Sequence, residues 1–350
     1  MELYTTDSDR EFYQSTIRPL LPAKILDFHT HLWQADHWLG TETGSASSGL
    51  DSASVTGVAA SKYMSTHIDY GVEKMQECVA QIFPDLEYHA VVFGQPTPTA
   101  DNDRTNAYAS DAAEIGNYYP LMIPLPGKRA AGELREDVAA GGFYGFKVFL
   151  NWTGNDYADV AVEDMITDVE MSVANDLGLV VLLHVPGALR LAANGVQESI
   201  KKYSMSYPNA KIVLAHCGRC YDQDSMAKSM RFLKGLDNVY MDSSMVMDPG
   251  VIKMVFDAIG PGRLLFGTDF PVAVMKGRRV HVMDHWVDIV AKGYPASEYR
   301  VPSDNMSATY MAYEIILAII RGARLAGLSK AEAAGVFFKN GIELIRNTAS

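Results

Sequence analysis

Residues 25–33 read Ile-Leu-Asp-Phe-His-Thr-His-Leu-Trp, an apolar strand-like run that ends in two histidines one residue apart. Side chains along a strand alternate between its two faces, so His29 and His31 are predicted to share one face, with Asp27 beside them. Neutral imidazoles are common metal ligands, and two on one face make half of a four-ligand zinc site. The stretch therefore predicts a metal centre that the rest of the chain must complete.

Apolar runs alternate with helical patterns along the chain. Eight strand candidates cover 25–33, 88–93, 119–125, 143–150, 179–185, 211–216, 239–246 and 263–270. Helical patterns cover 61–83, 102–117, 130–140, 162–177, 188–203, 225–236, 251–259, 307–326 and 330–346. Near-continuous apolar strands between helices are typical of a parallel sheet buried on both faces. Eight such units predict a closed (β/α)8 TIM barrel. A doubly wound sheet is the rival, but no GxGxxG or GxxxxGK[ST] motif follows an early strand.

Length and composition allow this architecture. The chain has 350 residues, of which 48% are hydrophobic and 21% are charged, as in an ordinary globular protein. We expect a single domain over 1–350, with a barrel core at about 25–300, an extra N-terminal segment and C-terminal helices at about 304–347. A Gly/Ser/Ala-rich stretch at 40–54 is predicted to be a long loop.

The net charge and the hydropathy of the sequence argue against some classes of binding partner. The formal net charge of −12, with no basic tract, argues against nucleic-acid binding but leaves room for a small anionic substrate. No segment has the roughly 18 uninterrupted apolar residues of a membrane span, and the polar amino terminus has no apolar signal core. We therefore expect a cytoplasmic protein without membrane contact.

Three cysteines are too few for a disulfide framework. Cys217 and Cys220 have CxxC spacing, but no second pair completes a four-cysteine zinc site. A redox role and incidental cysteines in a reducing compartment both fit, and the second is favoured because the preceding strand carries another candidate site histidine.

Chemically capable side chains end five of the predicted strands. They are His29 and His31, Lys147, His184, His216 and Asp269. Each alone has a structural explanation, as a hydrogen-bonded core histidine, a turn-forming aspartate or a lysine that extends to solvent. Active sites of parallel barrels lie at the carboxyl ends of the strands, so the coincidence favours one joint site.

This ordered set resembles the amidohydrolase superfamily, in the branch called amidohydrolase family 2. That branch includes lactone hydrolases, hydratases and nonoxidative decarboxylases related to aminocarboxymuconate semialdehyde decarboxylase. The resemblance runs from about Ile25 to Pro271. It rests on Asp27-Phe28-His29-Thr30-His31, the Lys147 strand, His184, Ala215-His216-Cys217-Gly218 and Gly267-Thr268-Asp269-Phe270-Pro271.

The resemblance implies a ligand set. His29, His31, His184 and Asp269 would hold one divalent metal, with zinc expected and manganese as the alternative. His216 would lie beside the metal-bound water. Relatives with two metals bridge them through a carboxylated lysine at the position of Lys147, and His184 and His216 would then hold the second metal. We expect the one-metal form.

The chemistry follows from these groups. A divalent metal lowers the pKa of bound water towards about 7, Asp269 can take and return its proton, and His216 can orient the water or stabilise an oxyanion. We expect hydrolysis of a small carboxylated, lactone or amide substrate. The alternatives are nonoxidative decarboxylation of an aromatic or enol carboxylic acid, and a barrel that binds metal and ligand without turnover.

Cations and aromatic residues in the same loops suggest how substrate is held. Lys147, Arg129 and Arg219 are predicted to bind a carboxylate, and Trp33 to wall the pocket of a flat ring. Solvated surface charge and core packing are the competing explanations. The apolar C-terminal helices suggest a homodimer interface.

Overall fold

The computed structural model describes residues 5–39, 69–153, 160–282, 285–292, 294, 300–303 and 308–348. The loop predicted at 40–54 and the first part of the helix predicted at 61–83 lie outside these residues.

All eight predicted strands are present in the described chain, and they form two parallel sheets. The first sheet contains β1 (Lys24–His31), β2 (Glu87–Phe93) and β3 (Tyr118–Pro120). The second contains β4 (Gly145–Val148), β5 (Val180–Leu183), β6 (Lys211–Leu214), β7 (Val239–Asp242) and β8 (Leu264–Leu265). In both sheets the strands pair in chain order.

The first gap between the sheets lies between β3 and β4, and backbone hydrogen bonds cross it. The Met122 N–H donates to the Gly145 carbonyl at 2.8 Å, and the Lys147 N–H donates to the Met122 carbonyl at 2.8 Å. Met122 and Phe146 form an isolated parallel bridge at this point.

The second gap lies between β1 and the chain that leaves β8. The Phe28 N–H donates to the Phe266 carbonyl at 2.8 Å, and the His31 N–H donates to the Phe270 carbonyl at 2.8 Å. Thr30 and Phe270 form a parallel bridge there. The carboxyl end of β1 is thus fastened directly to the segment that carries the last predicted ligand.

Helices follow most of the strands as predicted, with small shifts at their ends. They are α1 (Asp7–Phe12), α2 (Val72–Ile82), α3 (Asn102–Ala112), α4 (Ala131–Ala140), α5 (Val162–Met165), α6 (Asp168–Leu177), α7 (Asn194–Ser206), α8 (Gln223–Leu233), α9 (Pro249–Ile259), α10 (Met311–Leu325), α11 (Lys330–Phe337) and α12 (Lys339–Arg346). Two predicted helices are each divided in two. Thr167 caps α6 through a capping box, which separates it from α5. Phe338 leaves the helical region between α11 and α12.

One apolar cluster joins strand side chains to α12. It comprises Leu26, Phe28, Val91, Phe93, Leu121, Val180, Leu182, Val213, Ala215, Leu265, Ile342, Leu344 and Ile345. The Nζ atom of Lys211, the first residue of β6, donates to the Leu344 carbonyl at 3.2 Å. Helix α12 therefore covers the amino-terminal ends of the strands, opposite the ends that carry the predicted site.

The segment after β8, expected to be irregular, contains a small third sheet. It contains β9 (Gly277–Val282), β10 (His285–Ala291) and β11 (Arg300–Ser303), with β10 in the middle. Arg279 and Asp288 face each other in this sheet as a buried, bidentate ion pair, with N···O distances of 2.8 and 2.9 Å. None of the described helices is long and apolar enough to span a bilayer.

Candidate metal centre

Three predicted ligands meet at the carboxyl ends of β1 and β8. The Nε2 atoms of His29 and His31 each lie 3.4 Å from Oδ1 of Asp269. The side chains of His29 and His31 are buried, and Asp269 keeps 16% of its side-chain surface exposed. Their ligand atoms lie within 4.8 Å of one another. We call these three residues the HHD triad.

Both histidines of the triad are held by their other ring nitrogen. The His29 Nδ1–H donates to Oδ2 of Asp242 at 2.9 Å, and the His31 Nδ1–H donates to the Gly94 carbonyl at 3.3 Å. These acceptors assign the Nδ1–H tautomer, which leaves each Nε2 lone pair directed at Asp269. A metal-binding histidine normally has such an acceptor behind it, so the donor set fits a divalent cation.

The protonation states agree with this role. Burial, reinforced by the Lys147 ammonium, holds the pKa of His29 well below its ordinary value, and burial also lowers the pKa of His31. Burial alone would raise the pKa of Asp269, but the His31 and His29 rings beside its carboxylate hold that pKa below its ordinary value. Neutral imidazoles beside an ionised carboxylate are the forms that bind metal.

Asp242, at the end of β7, is a site residue that the sequence analysis missed. It is fully buried, and beyond its contact with His29 its Oδ1 accepts the backbone N–H groups of His216 at 3.0 Å and Ser244 at 2.9 Å. The Ser244 hydroxyl donates to the same oxygen and accepts the His216 Nδ1–H at 2.8 Å. Asp242 thus orients both His29 and His216. The rule applied to the other strand ends, extended to the seventh strand, would have found it.

Asp27 stabilises the strand ends and is not a ligand candidate. The described chain has two compact groups of metal-compatible side chains, His29 with His31 and Asp269, and His29 with His216 and Asp242, and Asp27 belongs to neither. Its carboxylate accepts the Thr268 N–H at 2.9 Å and the Tyr88 hydroxyl at 2.9 Å. Burial raises the pKa of Asp27 to about 6, against the opposing effect of these hydrogen bonds. The β1–β2 register shifts between Asp27 and Thr30, so Asp27 is not a simple continuation of the His29 and His31 face.

Lys147 points into the centre of the site. Its side chain is buried, with Nζ 3.1 Å from His29 Nε2 and 4.7 Å from the centroid of the Phe93 ring. Burial lowers the pKa of Lys147 to about 8. The predicted role of this lysine near substrate, and its carboxylation in a two-metal form, both stay predictions.

His184 lies beside the triad and not within it. Its ring centroid is 5.3 Å from that of His216 and 4.2 Å from that of Phe149. Its Nδ1 is buried without a hydrogen-bond partner among the described residues, and burial holds the pKa of His184 well below its ordinary value. Neither compact ligand group found in the described chain includes it. Its assignment as the fourth ligand stays a prediction.

His216 begins an unusual turn. Residues His216, Cys217, Gly218 and Arg219 all have left-handed backbone, with φ of 56°, 50°, 67° and 61°. Such a conformation costs about 1–2 kcal/mol at each non-glycine residue, and strain of this kind concentrates at functional sites. The turn aims the His216 ring at Ser244.

The CxxC cysteines within and after this turn are structural. Cys217 Sγ donates to the Asp242 carbonyl at 3.3 Å, and Cys220 lies against Ser229. Burial holds the pKa of Cys217 well above its ordinary value and raises that of Cys220 to about 11. Thiols in this state are poor redox groups.

Two arginines that were predicted to bind substrate make contacts with other residues of the protein. Arg219 is 9% exposed, and its Nη1 donates to the Val185 carbonyl at 3.1 Å. Arg129 pairs with Asp103 of α3 at 2.6 Å and with Asp137 of α4. The structure brings Arg219 close to the site as a brace between two loops, and it does not bring Arg129 to the HHD triad.

Trp33 is a core residue in this structure. It is 1% exposed and packs against Tyr70 with ring centroids 5.6 Å apart. The packing alternative therefore describes Trp33, and an exposed pocket wall does not.

The comparisons with known proteins agree with this arrangement. The model of a family described as amidohydrolase matches residues 26–281. No curated protein sequence matches the chain.

Solved structures resemble the chain over almost its whole length. An amidohydrolase from Burkholderia multivorans with bound zinc is 15% identical, with a TM-score of 0.56, and the match covers 93% of this chain and 99% of that one. 5-Carboxyvanillate decarboxylase from Sphingomonas paucimobilis is 14% identical, with a TM-score of 0.57, and the match covers 93% of this chain and 99% of that one. A probable 2-pyrone-4,6-dicarboxylic acid hydrolase from Acinetobacter baumannii with bound citric acid is 16% identical, with a TM-score of 0.53, and the match covers 92% of this chain and 99% of that one. At these identities the likeness concerns the fold.

Proposed function

This chain belongs to the amidohydrolase family, and from that premise we propose that it is a metal-dependent hydrolase of a small carboxylated, lactone or amide substrate. The observation that carries the proposal is the HHD triad, in which two Nε2 atoms lie 3.4 Å from one carboxylate oxygen. Hydrolases and decarboxylases occur among the structures that resemble it, which supports an enzyme.

We infer that the eight strands form one closed (β/α)8 TIM barrel in a single domain. The backbone hydrogen bonds across both gaps between the sheets support closure. The site residues lie on the carboxyl ends of the strands, where barrel enzymes carry their chemistry.

The proposed metal is zinc, with manganese as the alternative, held by His29, His31, Asp269 and His184. The buried Nδ1 of His184, for which the described residues offer no hydrogen-bond partner, supports its inclusion. When bound, the cation supplies Lewis-acid polarisation and lowers the pKa of a water molecule. The two-metal alternative would use His184 and His216, whose ring centroids are 5.3 Å apart, and requires a carboxylated Lys147.

The protein's own groups then divide the proton transfers. The Asp269 carboxylate accepts the proton of the attacking water and returns it to the leaving group. His216, fixed at Nδ1 by the Ser244 hydroxyl, orients that water through its other ring nitrogen. Asp242 fixes the orientations of His29 and His216 during both proton transfers.

The second candidate is nonoxidative decarboxylation of an aromatic or enol carboxylic acid. The buried Lys147 ammonium favours it, because a cation 3.1 Å from His29 Nε2 can hold a carboxylate close to the proton donor Asp269. Asp269, after taking a proton from a water molecule, would pass it to the substrate carbon, and the bond from that carbon to the carboxylate would break to release carbon dioxide.

Two substrates separate these candidates. Loss of ring absorbance with 2-pyrone-4,6-dicarboxylate reports hydrolysis, and carbon dioxide release from 5-carboxyvanillate reports decarboxylation. Metal per chain is measured by elemental analysis on protein purified without chelator, and about one equivalent is expected.

Asp269→Asn is the decisive variant. It should lower kcat by at least about 100-fold, and Asp248→Asn at the amino end of α9 is the matched control. Loss of activity with metal retained excludes a barrel that only binds. Absence of metal after supplementation would overturn the central claim.

The homodimer is also a proposal, tested by the mass in light scattering. A monomer at all concentrations would contradict it.

A further inference from the structure

Most cations predicted or found near the mouth of the site already have carboxylate partners. Arg129 pairs with Asp103 and Asp137, Lys276 with Asp9, Arg278 with Glu314, and Arg279 with Asp288. Arg190 differs from them. In the part of the chain that the structure describes, no carboxylate lies within ion-pair distance of its guanidinium, although it lies close to the catalytic machinery.

Arg190 lies on the loop that follows β5, six residues after His184. Its Cζ is 5.4 Å from the centroid of the Tyr221 ring, and that ring is 6.4 Å from the ring of His216. Its backbone is left-handed, with φ of 55°, a conformation that costs energy in a non-glycine residue. The fold therefore maintains a strained residue whose guanidinium lies one ring away from His216.

Among the described residues, the hydrogen bonds of Arg190 leave one edge of its guanidinium, formed by Nε and Nη2, without an acceptor. Its Nη1 donates to the Arg219 carbonyl at 3.3 Å, which ties it to the left-handed turn of His216. Its Nε–H is buried and has no acceptor among the described residues. A buried donor without an acceptor is unfavourable, so this edge is suited to an acceptor that enters beside Tyr221.

A second arginine, Arg279, also lies against the Tyr221 ring. Arg279 Cζ lies 5.1 Å from the Tyr221 centroid and 3.9 Å from that of Trp286, and Asp288 holds Arg279 by two hydrogen bonds. This arrangement fixes the aromatic ring against which Arg190 packs, so little conformational entropy is lost when Arg190 binds an anion.

We propose that Arg190 binds a carboxylate of the substrate through its Nε and Nη2 atoms, above Tyr221 and next to His216. The inference rests on the proposed function and adds the residue that selects anionic substrates. Arginine is suited to this because its planar fork matches both oxygens of a carboxylate.

The test uses isophthalate, a flat aromatic dicarboxylate, and 1,3-benzenedimethanol as its neutral counterpart, because neither probe has a hydrolysable bond. Binding is measured by calorimetry on the metal-containing protein, with metal per chain checked in every variant. Arg190→Met should weaken isophthalate binding by about 10- to 100-fold and leave the affinity for 1,3-benzenedimethanol unchanged, while Arg190→Lys should lose less of the isophthalate affinity. Arg231→Met, on the exposed face of α8, is the matched control and should bind both probes like the wild type.

The outcomes separate this inference from the reaction. Weaker isophthalate binding in Arg190→Met without any detectable turnover of either assay substrate supports the carboxylate subsite and contradicts the proposed reaction. If the wild type turns over an assay substrate but binds isophthalate no more tightly than Arg190→Met does, the role of Arg190 is overturned. The proposed reaction is then still supported. Failure of the wild type to bind isophthalate, or equal losses for both probes, also overturns the proposal.

Discussion

The Nδ1 atom of His29 lies 2.9 Å from Oδ2 of Asp242, a residue 213 positions further along the chain. The same carboxylate accepts the backbone N–H of His216. One buried acid therefore connects the first, sixth and seventh strands of the site. Its orientation of His29 decides which ring nitrogen can bind a metal.

Asp242→Asn tests this relationship. The amide nitrogen of the new side chain would face His29 Nδ1 and favour the tautomer that protonates Nε2, which removes the lone pair aimed at Asp269. We expect metal affinity to fall by about 10- to 100-fold, measured by competition with a chelator. Asp248→Asn should have no effect, and unchanged affinity in Asp242→Asn would contradict the assigned orientation.

His29→Ala and His216→Asn separate ligand from catalytic histidine. His29→Ala should remove the metal and abolish activity, because it deletes one member of the HHD triad. His216→Asn should keep the metal and lower kcat by about 100-fold, as expected for a lost orienting group. Elemental analysis and kcat are measured together. Loss of one metal equivalent in His216→Asn would support the two-metal alternative.

Gly145→Ala tests how closely β4 and β5 must approach. A Cβ atom at position 145 would collide with the backbone carbonyl of Val180, which cannot move without breaking the strand pairing. We expect a loss of about 1–3 kcal/mol or more in the free energy of unfolding, measured by urea denaturation.

Gly132→Ala in α4 is the matched control for that substitution. No atom lies within 4 Å of a Cβ at this position, so the change should stabilise the protein by up to about 1 kcal/mol. Equal stability of the two variants would show that the strand contact is less strict than the structure indicates.

Lys211 gives a pH dependence far from the metal centre. Burial lowers its pKa from 10.5 to about 8, so between these values the unfolded chain binds a proton that the folded protein has released. Stability from this group therefore rises with pH through that window, and below about pH 8 the cost of the buried ammonium is fully present.

Lys211→Met should consequently raise the Tm at pH 7 and flatten the rise in Tm between pH 8 and 10. The exposed Lys201→Met should leave the wild-type profile unchanged. Parallel profiles for wild type and Lys211→Met would contradict the lowered pKa.

The sequence predicted the order of the parallel strands, and it placed His29, His31 and Asp269 at one end of them, because both features depend on local pattern. An apolar run marks each strand, and its last residues fall at one end of the sheet whatever the loops do. The divided helices depend on local features as well, since the capping box at Thr167 was visible in the sequence as Thr167 followed by Glu170.

The remaining features depend on contacts between distant residues. Asp103 and Asp137 engage Arg129 from two different helices, which no spacing along the chain reveals. The sheet of β9 to β11 depends on pairing between segments that have weak strand patterns. Arg190 is distinguished only in the folded protein, where most other cations near the site acquire carboxylate partners and, among the described residues, Arg190 does not.

The left-handed turn at 216–219 limits how this site can change. Three of its four residues have side chains in a conformation that β-branched residues strongly disfavour, so few substitutions there are compatible with folding. Leu189, by contrast, is 68% exposed beside Arg190. In a directed-evolution library, new specificities should therefore accumulate in the loop after β5, while the turn after β6 stays nearly invariant across the selected clones.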